Sequence, residues 1–128
     1  MKQIDGGVCA PQGFKAGGVW CGIRKKNDKR DLALIVSEVP CTAAVMYTRN
    51  RVKAASILVT REHLAHHQCQ AVICNSGNAN ACTGQAGIDA AVRMTQTVAH
   101  ALKLPQNLVA VGSTGVIGVP LALVRLDH

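Results

Sequence analysis

The sequence predicts an α+β fold: a mixed, mainly antiparallel sheet packed by helices. Three observations carry that expectation. Short β-branched runs crowd the first half with no helical crossover between them, so those strands should pair as antiparallel neighbours. The second half then alternates strand, long amphipathic helix and strand. The composition suits a packed interior, with 48% apolar and only 16% charged residues over 128 positions. Low hydrophobicity with high charge, the signature of disorder, is not found. Phe14, Trp20 and Tyr47 are the only aromatics, so the core must be built from Val, Ile, Leu and Ala.

Asp5 to Ala16 is rich in Gly and Pro and reads as a loop. Gly18 to Ile23 reads as a short strand, Arg24 to Arg30 as a charged turn, and Leu32 to Ser37 as the second arm of a hairpin. After Pro40, Ala43 to Thr48 reads as a third strand and Ser56 to Thr60 as a fourth. Arg61 to His67 can form one or two helical turns with Thr60 as N-cap. Ala71 to Cys74 is expected as a buried strand, followed by a loop of small polar residues from Asn75 to Gly84. The clearest helix is Gln85 to Leu104, where Ile88, Ala91, Val92, Thr95, Val98, Ala99 and Leu102 recur at spacings of three and four. Thr83 is placed to cap it and Pro105 to end it. Leu108 to Val111 is a further strand, and the apolar last ten residues, with Pro120, have no clear pattern. No repeat or linker divides the chain, which is read as a single portion of one domain over residues 1–128.

The net charge of +7 gathers at Arg24, Lys25, Lys26, Lys29 and Arg30, and again at Arg49, Arg51, Lys53 and Arg61. Such patches serve nucleic acid, membrane surfaces, anionic substrates or simply a solvated hairpin tip. Nucleic acid is not expected as a partner, because stacking platforms need aromatics. No membrane partner is expected either, since no apolar stretch approaches the ~18–20 residues of a span. Six cysteines could signal disulfides, but no secretory leader precedes them and several lie in apolar runs such as Val72-Ile73-Cys74. Free thiols in a reducing cytoplasm are the expectation.

Two loops follow buried strands, where active sites commonly form. Asn75 to Gly84 leads into the long helix, whose free N–H groups can hold an anion; the alternative is a turn in which Asn side chains bond their own backbone. Gly112 to Gly118 spaces its glycines as G-x-x-G-x-x-G, which is not the dinucleotide fingerprint. There the Thr114 hydroxyl beside the Gly115 N–H puts two donors in one place, as an oxyanion hole requires. A glycine-rich turn is the bland alternative. His63 and His67 share the spacing of helical metal ligands, but Glu62 precedes the pair instead of following its first His, and no CxxC occurs. No metal or cofactor is therefore expected.

Taken together, several strings resemble the ornithine acetyltransferase (glutamate N-acetyltransferase) family. They are Gly6-Gly7-Val8-Cys9-Ala10-Pro11-Gln12-Gly13-Phe14, Asp31-Leu32-Ala33-Leu34-Ile35 and Thr48-Arg49-Asn50-Arg51-Val52-Lys53-Ala54-Ala55, then Asn75 to Gly84 and Ser113-Thr114-Gly115-Val116-Ile117-Gly118 with Pro120-Leu121. The last two are the most specific. The resemblance spans residues 5–121 and implies the N-terminal part of an α chain, within the layered α/β/β/α architecture of that family. It implies an arginine-biosynthesis enzyme that moves acetyl from N-acetylornithine to glutamate, with acetyl-CoA a further candidate donor. The family's precursor cuts itself before a threonine, which becomes the N-terminus of the β chain and the nucleophile. Its α and β chains assemble into oligomers. The family's oxyanion donors carry over to Thr114 and Gly115. The Ala-Thr-Met-Leu-like cleavage string is not in this sequence, and no threonine follows Thr114, so this chain alone is expected to be inactive. Ala122-Leu123 stands where the family often has Pro-Met, and Cys9 and Ser56 replace commoner Thr and Pro. Apolar surfaces normally covered by its partner should make the chain self-associate. A non-catalytic binding or assembly domain of the same fold, and a basic nucleic-acid module, are the competing classes.

Overall fold

The computed structural model describes residues 4–25 and 29–121. Positions 26–28 of the turn expected from Arg24 to Arg30, and the sequence changes at 122–123, lie outside the described residues. Strands β1 (Phe14–Val19), β2 (Leu32–Thr42), β3 (Gln68–Asn75) and β4 (Val109–Ser113) form one sheet in the order β1-β2-β3-β4. The first three pair antiparallel and β4 joins β3 in parallel. Helix α1 (Ala55–His63) lies between β2 and β3 in sequence, and α2 (Gly84–Leu102) makes the crossover that a parallel pair needs.

Alternation along the strands separates two faces. On one, Leu32, Leu34 and Val36 of β2, Ala71 and Ile73 of β3, and Val109 and Val111 of β4 meet Val59 of α1 and Ala91, Met94, Val98 and Ala99 of α2. This is the core, and it is aliphatic, as the composition requires. On the other face the register aligns Ala33 with Cys74, Ile35 with Val72, and Val72 with Ala110. There Ala110 is buried and Ile35 and Val72 are half-buried, while Ala33 and Cys74 are exposed. Cys74 is thus not the buried side chain that its apolar run suggested.

The α+β expectation holds, and five local readings change. Phe14 to Ala16 belong to β1, which ends at Val19 instead of running on to Ile23. Gly17 and Gly18 sit inside that strand and erase its β signal. Strand β2 passes through Pro40, because the register shifts between Val36 and Cys41 and a bulge tolerates a residue without an N–H. Ala43 to Thr48 is no strand, although Ala43 N–H reaches His67 O at 2.8 Å. Ser56 to Thr60 is helical. The buried residues of α1 are Ala55, Ser56, Val59 and Thr60, a helical face that looks polar because two of its members carry hydroxyls. Thr60 is accordingly no N-cap. Its hydroxyl donates to Val111 O and accepts from Val111 N–H, both at 3.0 Å, satisfying the open edge of β4.

Candidate functional site

Because β3 and β4 run parallel, the loops after Asn75 and Ser113 leave the same end of the sheet side by side. Three backbone hydrogen bonds bind them, the last two making up a parallel bridge between Asn78 and Val116. Thr114 N–H donates to Asn75 O at 3.1 Å, Val116 N–H to Gly77 O at 3.3 Å, and Ala79 N–H to Val116 O at 2.9 Å. Between the Thr114 and Val116 bonds, the Gly115 N–H keeps no partner among the described residues, nor does the Thr114 hydroxyl. Both residues are exposed. The two donors predicted from sequence are therefore adjacent, accessible and unspent.

Only glycine fits at 115. Its φ is +134°, and a Cβ there would overlap Gly77 C and stand 2.5 Å from Asn78 N. Gly77 is packed in turn, since a Cβ on it would lie 2.7 Å from Arg24 Cγ. Gly115 is thus required by backbone contact, whereas Gly77 is crowded by the Arg24 side chain.

Thr114 and Gly115 line a cleft of about 920 Å³ with Arg24, Lys25, Asn78 and Val119. Its described walls hold two cationic side chains and no carboxylate, so its field favours an anion. The 21–24 turn that brings the cations there is set by Asp31, a residue sequence reading passed over except as part of a family string. Asp31 is 1% exposed, and its carboxylate accepts from Cys21 N–H at 2.7 Å and Arg24 N–H at 2.8 Å. Burial pushes its pKa up, but the Arg24 and Cys21 N–H bonds outweigh it and hold the carboxyl below its usual value. The neighbouring Cys21 thiol is pushed up by burial, by its bond to Asp31 and by that charge.

At the other candidate, the start of α2, side chains bond one another and the helix backbone. Asn80 is wholly buried, donates from Nδ2 to Gly87 O at 2.7 Å and accepts the Thr83 hydroxyl at 2.7 Å. Thr83 stands at the helix boundary, yet its side chain caps no N–H. A Cβ on Gly87 would overlap Thr83 Oγ1, so the Thr83 side chain packs directly on the first turn of α2. The Asn side chains bond backbone, as the turn reading foresaw: Asn75 Nδ2 donates to Asn78 O at 2.8 Å and Asn78 Nδ2 to Val119 O at 3.1 Å. Their Oδ1 atoms, and Ser113 Oγ, are buried without partners among the described residues, at a cost of about 1–3 kcal/mol each. His63 and His67 do not make a ligand pair. His63 ends α1 with Nδ1 2.9 Å from Val109 O, and His67 follows a 3-10 turn at φ 56°. No cluster of three or more metal-ligating side chains occurs among the described residues. No helix of the described residues is long and apolar enough to cross a membrane.

Known proteins share this arrangement. Residues 15–128 match the ArgJ family. The arginine biosynthesis bifunctional protein ArgJ of Symbiobacterium thermophilum is 48% identical over 99% of this chain and 32% of its own length. That of Gloeobacter violaceus is 50% identical over 98% of this chain and 31% of its own. The chain thus spans about a third of the length of the curated relatives it matches. Among solved structures, ArgJ of Bacillus halodurans superposes with a TM-score of 0.90 at 44% identity, covering 95% of this chain and 63% of that one. Ornithine acetyltransferase of Mycobacterium tuberculosis, in complex with ornithine, gives 0.88 at 45% identity, covering 94% and 65%. With the family match across most of the sequence and the fold reproduced at that level, this chain belongs to the ArgJ family.

Proposed function

We propose that the chain is the N-terminal portion of an α chain in an acetyltransferase that moves acetyl from N-acetylornithine to glutamate, and that Thr114 and Gly115 supply its oxyanion hole. The observation that carries this reading is the pair of unspent donors, the Thr114 hydroxyl and the Gly115 N–H, on a rigidly held turn beside a cationic cleft. The nucleophile in this scheme is the N-terminal threonine hydroxyl of a β chain, deprotonated by its own α-amino group. It attacks the acetyl carbonyl. The carbonyl oxygen takes up negative charge, and the two donors tighten on it as it does. Collapse expels ornithine, which takes a proton, and leaves acetyl on the threonine oxygen. The glutamate amine then attacks that ester through the same oxyanion and restores the hydroxyl. Arg24 and Lys25 on the cleft wall suit substrates that each carry an α-carboxylate. Partners on this reading are the β chain and further α and β copies, in the cytoplasm.

The test is to mix the 128-residue chain with a separately produced β chain of a family member and follow acetyl transfer from N-acetylornithine to glutamate. Turnover by the mixture, with none by either part alone, is the expected result. Turnover and an acetyl-enzyme from the isolated chain would overturn the division of labour. Association without turnover would favour a non-catalytic assembly domain.

A further inference from the structure

We infer that Asn78 is a positioning residue for the Thr114–Gly115 donor pair, holding the far end of the strap that carries them; this rests on the oxyanion reading above. Residues 114–119 cross the end of the sheet with little packing to fix them. Val116 is 61% exposed, Ile117 63% and Val119 53%. With so little apolar burial, polar ties must set the strap's path. Its near end is held by Thr114 N–H on Asn75 O and by both polar groups of Val116 on the 77–79 backbone. Its far end is tied at Val119 O by Asn78 Nδ2.

Asn78 also joins the two ends. Its own carbonyl accepts from Asn75 Nδ2, and its backbone bridges Val116. A continuous polar path therefore runs from the last residue of β3 through Asn78 to Val119, enclosing Gly115 against Gly77. Asn78 is 6% exposed, and its Oδ1 is buried without a partner among the described residues. A side chain retained only for stability would gain by losing that bare acceptor. The donor end of the amide is what the strap uses. Donors for a developing oxyanion must be held to within about 0.5 Å, and a displacement of ~1 Å can cost ~10²-fold in rate. This also gives the Asn-rich loop a role: it holds the Thr114 turn in place.

Asn78→Asp is the decisive variant, because it keeps the shape and removes the Nδ2 donor. Asn78→Ala is the second variant, should an added charge disturb folding. Amide exchange on the 128-residue chain reads the tie without any catalysis. Exchange at Thr114 and Val116 should quicken by about tenfold, the loss of one hydrogen bond, while Ile73 and Val111 in the sheet keep their protection. Unchanged exchange at Thr114 and Val116 overturns the inference, as does equal loss throughout the sheet in both variants. In the complex with the β chain, kcat should fall by about 10²-fold with KM for N-acetylornithine within a few-fold. An undiminished kcat, or a change in KM alone, overturns it. Thr114→Ala measured beside it separates the two readings. A fully active Thr114→Ala defeats the oxyanion assignment, whereas an active Asn78→Asp with an inactive Thr114→Ala defeats only the positioning role.

Discussion

Replacing Thr60 by Val exchanges one hydroxyl for a methyl of nearly the same size inside the fold. The hydroxyl serves two backbone groups at once, Val111 N–H and Val111 O, each at 3.0 Å. Strand β4 is the last in the sheet, so those groups point away from β3 and have no ladder partner to fall back on. Val111 is 6% exposed, so water does not readily take the place of the hydroxyl. Leaving a buried donor and a buried acceptor bare costs about 1–3 kcal/mol each. Burial of the added methyl offsets about 0.8 kcal/mol of that. Thr60→Val should therefore destabilise the chain by about 1–5 kcal/mol, measured by urea unfolding followed in the far-ultraviolet circular dichroism at low protein concentration. Thr60→Ser keeps the hydroxyl and should lose only about 1 kcal/mol, for the missing methyl. A Val variant within about 0.5 kcal/mol of the parent, or a Ser variant as weak as Val, would refute the idea that this hydroxyl closes the β4 edge.

Acid should weaken the fold through Asp31. Its folded pKa is depressed, so its contribution is complete above the unfolded carboxyl value and is lost as pH falls through the folded one. Asp31→Asn should remove that pH dependence from urea midpoints below about pH 5, and an unchanged acid limb would contradict it. Gly115→Ala forces a Cβ into the Gly77–Asn78 backbone at φ +134°, so the 113–119 turn should shift. The expected cost is at least about 1–3 kcal/mol, read as a lower thermal midpoint. An unchanged midpoint with unmoved Thr114 and Val116 amide resonances would contradict the contact.

The sequence carried the parts of the fold whose chemistry is local. Helix α2 was legible because Ala91, Thr95, Val98 and Ala99 repeat at helical spacing, and Pro105 marks its end. Its end is reinforced by Lys103 in the left-handed region and by Leu104 N–H on Ala99 O, details no pattern announces. Helix α1 was not legible over Ser56 to Thr60, because its buried face is half hydroxyls and the partner of Thr60 is 51 residues away. The Thr114–Gly115 pair was legible as a motif, through two donors in a short Gly-rich string. The surrounding clamp was not, since Asn78 meets Val119 across 41 residues and Asp31 sets the cationic turn from the start of β2. Backbone-to-backbone contact such as Gly115 on Gly77 leaves only a glycine in the string, and a glycine has several possible causes.

The most direct measurement is steady-state acetyl transfer by the chain assembled with a β chain, comparing Thr114 with Thr114→Ala. Removing one of the two oxyanion donors should lower kcat by about 10²–10³-fold and leave KM for N-acetylornithine within a few-fold, because the bond strengthens only as charge develops on the acetyl oxygen. A kcat that survives the substitution, or a loss confined to KM, would contradict the assignment of Thr114 to the oxyanion hole.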